Sequence, residues 1–262
     1  MNWQNKTVWI TGASSGIGEA LTYQLAEKGA TLILSSRKRD ALEAVKSKCA
    51  HPEKVEVYPL DLADAKSIES AARQVLANHQ IDILVNNGGI SQRSLLAETS
   101  MEVHRKLMEV NYFGTIHLSK IVLEQFIKNK KGHFVNVTSL MGRFSSQYRS
   151  GYCGAKHALH GFFDCLRLEH DADNVKVTMV CPGFIKTRIS FNALTADGSP
   201  QDYMDKMQAQ GLSSEQCAKK MVRAIEREKH EVYIGKREVM GIYLKRFFPG
   251  LLHQWLLRAQ VK

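Results

Sequence analysis

Seven short apolar runs alternate with amphipathic stretches along this 262-residue chain, and the alternation constrains its fold more than any other feature. The runs occupy residues 7–11, 31–34, 55–60, 81–85, 133–137, 175–181 and 231–234. Most are apolar throughout, as expected of strands that are covered on both faces. The helical patterns occupy residues 18–28, 41–49, 65–78, 101–128, 152–170 and 214–228. This order predicts an α/β fold with a doubly wound, seven-stranded parallel sheet and helices on both faces.

Domain organisation follows from what separates these elements. No linker rich in Pro, Gly or Ser interrupts the pattern, so we expect a single domain over residues 1–262. Thr99 with Glu102, and Ser213 with Gln216, fit capping boxes that begin two of the helices. In such folds a ligand binds in the crevice at the carboxyl ends of the strands.

A glycine-rich turn follows the first predicted strand and precedes a helix. It consists of Thr11, Gly12, Ala13, Ser14, Ser15, Gly16, Ile17 and Gly18. Glycines suit a tight turn that lies close to a pyrophosphate, and the helix N-terminus offers free N–H groups to phosphates. A merely tight strand-to-helix turn is the alternative, and the flanking strand and helix favour a nucleotide site.

The end of the second strand indicates which nucleotide is preferred. Folds that select NAD usually have an acidic residue here, which holds the ribose 2′-hydroxyl. This chain has Ser36 followed by Arg37, and a guanidinium can bind a 2′-phosphate bidentately. We therefore expect NADP(H) to be preferred over NAD(H). Lys38 and Arg39 are interpreted as part of a solvated basic loop.

Polar residues and glycines follow the third and fourth strands, where a cofactor would lie. Asp61, followed by Leu62, would accept a hydrogen bond from the adenine amino group or help to cap the next helix. Asn87, Gly88 and Gly89 indicate a close backbone approach to the ligand.

Tyr152 and Lys156 are spaced so that both project from the same face of a helix. A free phenol, with a pKa of about 10, is a poor acid–base catalyst at neutral pH, and a nearby ammonium lowers that pKa. The pair would therefore form a proton donor for catalysis. A surface lysine one turn beyond a half-buried tyrosine is the alternative interpretation.

Composition excludes several classes of function. The net charge is +10, with 11 Lys/Arg against five Asp/Glu from residue 215 onwards, but no nucleic-acid recognition motif accompanies it. The five cysteines form no CxxC motif, and no Cys/His group has the spacing of metal ligands, so we expect reduced thiols and no metal. Without a signal-peptide pattern or an 18-residue apolar stretch, a cytoplasmic location is expected.

The motifs together resemble the short-chain dehydrogenase/reductase family over roughly residues 6–233. The resemblance rests on residues 11–18, on 86–89 and on Asn111, Ser139, Tyr152 and Lys156, with thirteen residues from Ser139 to Tyr152. It implies a Rossmann-type fold. Gly88 departs from the family, which usually has alanine there.

The resemblance also implies roles for individual residues. Tyr152 would be the general acid in carbonyl reduction and the base in alcohol oxidation. Lys156 would lower the pKa of Tyr152 and bind the nicotinamide ribose, Ser139 would polarise the carbonyl, and Asn111 would hold a water in a proton relay. Three further residues would position the nicotinamide amide: Pro182, Gly183 and Thr187.

The second half of the chain resembles the member 7 and 7B branch of this family. The resemblance is carried by residues 150–158, 162–167, 192–199 and 244–251. It implies a membrane-associated reductase of lipid-like carbonyls, although the N-terminal membrane segment of those relatives has no counterpart here. The expected activity is NADPH-dependent reduction of a hydrophobic lipid-, steroid- or retinoid-like carbonyl, or the reverse oxidation. A non-catalytic NADP(H)-sensing protein is the alternative.

The substrate end of the crevice is expected to be apolar. The candidate contacts are Met141, Phe144, Phe184 and Phe191. Residues 190–211 lack a strong period and are interpreted as a mobile substrate lid. Arg149 and Arg188 would meet an anionic group or lie in water.

Residues 236–262 combine aromatic and leucine side chains with Lys and Arg. This composition is typical of an interfacial helix on an anionic membrane, of a helix over the substrate pocket, or of a subunit contact, and we favour a packed helix. The family resemblance implies a homodimer or homotetramer that associates through the helices at 101–128 and 152–170.

Overall fold

One parallel sheet organises residues 1–258, the part of the chain that this computed structural model describes; the last four residues of the predicted C-terminal segment lie outside it. The strands are β1 (Thr7–Thr11), β2 (Thr31–Ser35), β3 (Val55–Val57), β4 (Ile83–Asn86), β5 (Gly132–Val137), β6 (Val175–Pro182) and β7 (Glu231–Ile234). Their order is β3-β2-β1-β4-β5-β6-β7. The prediction of a doubly wound, seven-stranded parallel sheet is confirmed. The strand order reverses between β1 and β4, which is where such a sheet opens a ligand crevice.

Helices cover both faces of the sheet. They are α1 (Gly16–Glu27), α2 (Arg39–Lys46), α3 (Ala65–Asn78), α4 (Met101–Met108), α5 (Gly114–Asn129), α6 (Ser150–Glu169), α7 (Lys206–Ala209), α8 (Ser214–Glu226), α9 (Met240–Phe247) and α10 (Pro249–Arg258). No helix within residues 1–258 is long and apolar enough to cross a membrane.

The core is divided between the two faces. Val8 and Ile10 of β1 pack on the side of α1, α2 and α8, whereas Trp9 packs on the side of α3, α5 and α6. On the second side Phe126, Phe134 and other aromatic rings pack against one another, with ring centroids 4.9 Å apart for that pair. Because both faces are buried, the strands consist mainly of apolar residues, which explains the largely continuous apolar runs.

The helix predicted at 101–128 is interrupted. A wide π-helical turn, Glu109–Phe113, separates α4 from α5. Within this turn Asn111 exchanges two hydrogen bonds of 2.9 Å with the backbone of Ile90. Beyond it, the first residue of α5 contacts a neighbouring loop so closely that a Cβ on Gly114 would lie 2.0 Å from the carbonyl oxygen of Leu62. These contacts lie far apart in sequence, so periodicity does not reveal them.

Local signals are confirmed in one case and corrected in two. The Ser213–Gln216 capping box is present at the start of α8. At α4 the cap is Ser100 instead of Thr99, because the Thr99 hydroxyl donates to the carbonyl oxygen of Leu95 at 2.7 Å. Strand β3 ends at Val57 rather than at residue 60.

Candidate active site

A cavity of about 1090 Å³ runs along the carboxyl ends of the strands. Most of the predicted cofactor residues line it. They are Gly12, Ser14, Ser15, Gly16, Ile17, Ser36, Arg37, Asp61, Leu62, Asn87, Gly88, Gly89, Pro182, Gly183 and Thr187. The sheet therefore brings motifs that are up to 175 residues apart, from Gly12 to Thr187, to one edge.

The glycine turn after β1 is built for close approach. Gly12 and Gly16 have φ of 64° and 62°, in the left-handed region that favours glycine. A Cβ on Gly12 would lie 2.7 Å from the Cα of Gly88, and one on Gly18 would lie 2.3 Å from the carbonyl oxygen of Gly12. Gly18 is thus a packing residue and does not belong to the cavity wall.

Asn87 fixes this turn from the neighbouring strand end. Its side-chain amide donates to the carbonyl oxygens of Thr11 at 3.0 Å and Gly12 at 3.1 Å. The Thr11 hydroxyl in turn accepts from the backbone N–H groups of Asn87 and Gly88, both at 3.0 Å. Gly88 leaves room for the Leu62 side chain, since a Cβ there would lie 2.7 Å from Leu62 Cδ1.

The end of β2 fits a phosphorylated ribose. Ser36 Oγ is buried and has no hydrogen-bond partner among the described residues, and both Ser36 and Arg37 line the cavity. Lys38 lines it too, whereas the Arg39 guanidinium lies 3.6 Å from the Glu43 carboxylate. An orphaned hydroxyl beside an exposed guanidinium suits a 2′-phosphate, so these residues fit the expected dinucleotide.

Asp61 does not cap the following helix, which was one of its two predicted roles. It lines the cavity, and its Oδ1 accepts from the backbone N–H of Ala63 at 2.9 Å. Asp64 is the residue that caps α3, through the N–H of Lys66. The Asp61 carboxylate therefore orders the turn, and its contact with an adenine amino group stays a prediction.

The predicted catalytic side chains converge at the inner end of the cavity. Tyr152, Ser139 and Lys156 all line it, and all three are more than 90% buried. Lys156 Nζ donates to the carbonyl oxygen of Val137 at 2.9 Å and lies 5.9 Å from the Tyr152 ring centroid. Ser139 Oγ donates to the carbonyl oxygen of Pro182 at 3.3 Å and accepts from the N–H of Met141 at 3.1 Å.

Burial controls the electrostatics of this group. Desolvation raises the pKa of Tyr152, while a hydrogen bond with Ser139 and the charges of Arg93 and Arg149 oppose the rise. The prediction that the pKa of this phenol is lowered is therefore wrong for the protein alone, because burial outweighs the opposing charges. Burial also lowers the pKa of Lys156 to about 8.

Asn111 is placed behind the cavity wall. Its side chain is fully buried and bonds to Ile90, as described above. A Cβ on Gly89 would lie 2.6 Å from Asn111 Oδ1 and 3.5 Å from Lys156 Nζ. Asn111 thus supports the strand end beside Lys156.

The substrate end is largely apolar, as expected. Met141, Phe144 and Phe184 line the cavity, together with Trp255 and Leu256 of α10. Phe191 does not belong to the cavity wall, because its ring stacks beneath the Arg188 guanidinium, 5.5 Å from its centroid. Arg188 itself is exposed at the rim.

Sequence reasoning missed a buried ionic group on this wall. Arg93 Nε and Nη2 donate to Asp205 Oδ2 at 2.7 and 2.6 Å, and Arg149 Nη2 lies 3.5 Å from the same oxygen. Arg149, expected to meet a ligand anion or to lie in water, is buried beside Asp205 and also lines the cavity. Arg93 lies in the segment after β4, four residues beyond Gly89. Its place after the carboxyl end of a strand was the only hint in the sequence that its side chain would lie near the cavity.

Three possible metal ligands also meet, although none is close to another in sequence. Donor atoms of His160, Cys181 and Glu231 lie within 4.8 Å of one another. However, the Arg143 guanidinium donates to both oxygens of Glu231 at 2.7 Å. Burial further raises the pKa of the Cys181 thiol. Both effects oppose metal binding, so we interpret the group as a structural network behind Ser139.

Comparison with known proteins gives consistent results. The short chain dehydrogenase family model matches residues 6–197. Human dehydrogenase/reductase SDR family member 7 is 41% identical over 250 residues, covering 92% of this chain and 74% of that protein. Mouse member 7B is 38% identical over 255 residues, covering 95% and 79%.

Solved structures share the fold. A short chain dehydrogenase from Burkholderia cenocepacia, in complex with NADP, superimposes with a TM-score of 0.82 at 24% identity, covering 99% of this chain and all of that one. A short chain dehydrogenase/reductase from Burkholderia phymatum, in complex with NAD, gives 0.83 at 20%, covering 96% of each chain.

The buried ammonium of Lys156 should cost stability. Lowering its pKa from 10.5 to about 8 corresponds to about 3 kcal/mol, and the hydrogen bond to Val137 returns about 1 kcal/mol. We expect Lys156→Met to raise the free energy of unfolding by about 2 kcal/mol at pH 7, measured by urea denaturation.

The pH dependence supplies the check. Below pH 8 Lys156 is protonated in both the folded and the unfolded chain, so the full cost of burying its ammonium is present. This cost decreases as the pH rises from about 8 towards 10.5, the ordinary pKa of a lysine. The advantage of the variant should shrink over that window. Lys66→Met, at an exposed position of α3, should change stability by no more than about 0.5 kcal/mol. Equal stability of Lys156→Met and the natural protein at pH 7 would contradict the expectation.

Proposed function

The chain belongs to the short-chain dehydrogenase/reductase family, and from that premise we propose that it is an NADPH-dependent carbonyl reductase of hydrophobic lipid-, steroid- or retinoid-like substrates. The reverse reaction would be an alcohol dehydrogenase activity. The observation that carries the proposal is the convergence of Tyr152, Ser139 and Lys156 in a cavity that continues from the glycine turn to an apolar wall.

The proton transfer falls to Tyr152. When bound, the dinucleotide supplies or accepts the hydride. During reduction Tyr152 gives its phenolic proton to the carbonyl oxygen, and during oxidation its phenolate takes the proton of the alcohol. Burial raises the pKa of Tyr152, which keeps the phenol protonated and suits the reductive direction.

Ser139 and Lys156 stabilise the developing charge. The Ser139 hydroxyl would donate a hydrogen bond to the substrate carbonyl oxygen. Because negative charge develops on that oxygen, this bond would stabilise the transition state more than the ground state. Lys156 holds a positive charge beside Tyr152 and offers its remaining N–H groups to the nicotinamide ribose. We further propose that Asn111, whose side chain bonds to the backbone of Ile90 near Lys156, holds a water in the proton relay.

The preference for NADP(H) is supported by Ser36 and Arg37. An orphaned hydroxyl and a guanidinium lie at the ribose end, and no carboxylate occupies the position that NAD-specific folds use. Solved neighbours include complexes with either dinucleotide, so the proposal depends on these two residues.

The substrate class is proposed from the apolar part of the cavity, away from the glycine turn. Met141, Phe184 and Trp255 give an apolar wall, and residues 192–208 close one side of the cavity. We assign residues 190–211 as the substrate lid. A non-catalytic NADP(H) sensor has no use for a buried proton donor with a polarising serine beside it, so this alternative has no feature in its favour.

Location and assembly are proposed from the surface. All five cysteines are free thiols, which suits the cytoplasm. Exposed apolar side chains on the helices that family members use to associate, such as Phe113 and Leu168, support a homodimer or homotetramer.

The C-terminal helices support an additional contact with a membrane surface. One face of α9 and α10 packs over Phe144 through Leu252, in agreement with the packed helix favoured above. The other face exposes apolar side chains: Tyr243, Phe247, Phe248, Leu251 and Leu257. Residues 240–258 carry Lys245, Arg246 and Arg258 and no acidic residue. Exposed aromatic and cationic groups together suit an anionic bilayer, with the cavity wall at Trp255 close by.

Tyr152→Phe tests the chemistry. We expect turnover to fall by about 10²–10⁴-fold with NADPH affinity retained, because only the proton is lost. The assay is NADPH oxidation across carbonyls graded by chain length and lipophilicity. Tyr58→Phe, which removes a hydroxyl bonded to Glu56 outside the cavity, is the matched control. Unimpaired turnover in Tyr152→Phe would reject the mechanism.

Arg37→Ala tests the cofactor preference. Removing a charge-assisted phosphate contact should weaken NADPH binding by about 10- to 100-fold and leave NADH binding unchanged, as measured by fluorescence titration. Arg39→Ala is the control, since Arg39 faces Glu43. Equal affinity of the natural protein for NADH and NADPH would contradict the proposed preference for NADP(H).

Vesicle co-sedimentation tests the membrane contact. We expect the full chain to bind phosphatidylserine-containing vesicles, to bind phosphatidylcholine vesicles less, and to lose binding as salt rises. Phe247→Glu with Leu251→Glu, at side chains 68% and 60% exposed, should abolish it. Leu96→Glu, at a position 69% exposed in the loop between β4 and α4, should not. If the double variant still binds the vesicles, the exposed face of α9 and α10 is not the membrane contact.

A further inference from the structure

The helix that carries Tyr152 begins without a cap of its own. Arg149 is the residue before α6, and its side chain makes no capping hydrogen bond. The first intrahelical bond at this end runs from the N–H of Cys153 to the carbonyl oxygen of Arg149 at 2.8 Å. The N–H groups of the first turn therefore need acceptors from elsewhere in the molecule.

Gln92 supplies that acceptor from 59 residues away along the chain. Its Oε1 accepts from the N–H of Gly151 at 2.8 Å and, at a longer 3.4 Å, from the N–H of Tyr152 itself. A side chain at position 151 would crowd this approach, because a Cβ there would lie 3.3 Å from Gln92 Oε1 and 2.7 Å from His104 Nδ1. Glycine before the tyrosine thus leaves room for the cap.

The Gln92 amide is fully buried and held at its other end as well. Its Nε2 donates to the hydroxyls of Ser94 and Thr99, both at 3.1 Å, and lies 3.4 Å from that of Ser150. These acceptors orient the amide so that its oxygen points at the helix.

The backbone around Gln92 is fixed too. The N–H of Arg93 donates to the carbonyl oxygen of Leu194 at 2.8 Å. The N–H of Leu194 donates in turn to the carbonyl oxygen of Ser91 at 2.9 Å. Leu194 packs against Tyr152 in the same small apolar cluster. Gln92 is therefore a rigid support and not a mobile side chain.

From this geometry we propose that Gln92 is a positioning residue for Tyr152: it caps α6 from outside the helix and so fixes where the phenol lies relative to Ser139. The proposal rests on the proposed function of Tyr152 as proton donor. Gln92 itself does not line the cavity, so it acts through the helix and not on the substrate.

A neutral acceptor is suited to this position. The charged groups whose fields act on the Tyr152 hydroxyl are Arg93 and Arg149, with the Cys153 thiol opposing them, and the Lys156 ammonium lies on the same face of α6. Asp205 balances the two guanidiniums from the lid side. A carboxylate in place of the Gln92 amide would add a negative charge beside the N–H of Tyr152.

Gln92→Leu removes the cap while keeping a similar volume. We expect kcat to fall by about 10²-fold, the scale of a 1 Å misplacement, with little change in NADPH affinity. Gln125→Leu is the matched control: Gln125 also binds backbone, accepting from the N–H of Ile81 at 2.7 Å, but it lies away from the cavity. That variant should lower the melting temperature and leave kcat unchanged. A kcat of Gln92→Leu within twofold of the natural protein, per folded molecule, would overturn the proposal.

Gln92→Glu provides a second measurement that does not depend on the leucine variant folding. The carboxylate keeps an acceptor for the N–H groups and is favoured at a helix N-terminus, so the chain should fold. Its charge disfavours the phenolate, and the pH above which reduction declines should move up by about one unit. An unmoved profile would show that Gln92 acts on stability alone.

The outcomes of the two proposals are separable. If Tyr152→Phe is inactive while the kcat of Gln92→Leu or the pH profile of Gln92→Glu matches that of the natural protein, only the positioning role fails. If Tyr152→Phe keeps full turnover, the proposed chemistry itself fails, whatever the Gln92 variants do.

Discussion

The close contact between two backbone turns, one after β1 and one after β4, is the constraint on which the cofactor end depends. The two turns approach so closely that a Cβ on Gly12 would lie 2.7 Å from the Cα of Gly88, and Asn87 ties the turns together with two hydrogen bonds. Because these strands are neighbours at the point where the strand order reverses, the contact opens the crevice and also fixes the start of α1. The remaining motifs then reach the same edge through the sheet.

The reactive end depends on a different balance, between burial and charge. Tyr152 and Lys156 lose hydration in an apolar wall, which raises the pKa of the phenol and lowers that of the ammonium. Both shifts favour the uncharged form of the side chain. Without a bound ligand, the phenol and the amine are therefore each more easily kept neutral in the protein than in water. The arrangement costs folding free energy, because burial removes these polar groups from water.

The sequence was sufficient for elements whose signal is local or strictly periodic. Continuous apolar runs revealed the strands because both faces are covered, and the glycine turn and the Tyr152–Lys156 spacing located the two ends of the cavity. Contacts between distant residues were not readable: the wide turn at Asn111 depends on Ile90, and the buried Arg93–Asp205 pair joins residues 112 apart. Phe191 was assigned to the substrate wall by its apolarity, but its ring packs beneath Arg188 instead.

The features that escaped prediction are connected to one another. Residues 91–93 bond to Leu194 through the backbone, Arg93 binds Asp205, and Gln92 meets the start of α6. Leu194 and Asp205 both belong to residues 190–211, the proposed substrate lid, so one short piece of chain after β4 contacts both this segment and the start of α6. An altered sequence in residues 190–211 would thus disturb Tyr152 through Gln92 as well as through the shape of the pocket. If Tyr152 donates the proton and residues 190–211 form the lid, as proposed, the geometry of proton transfer and the choice of substrate depend on the same contacts.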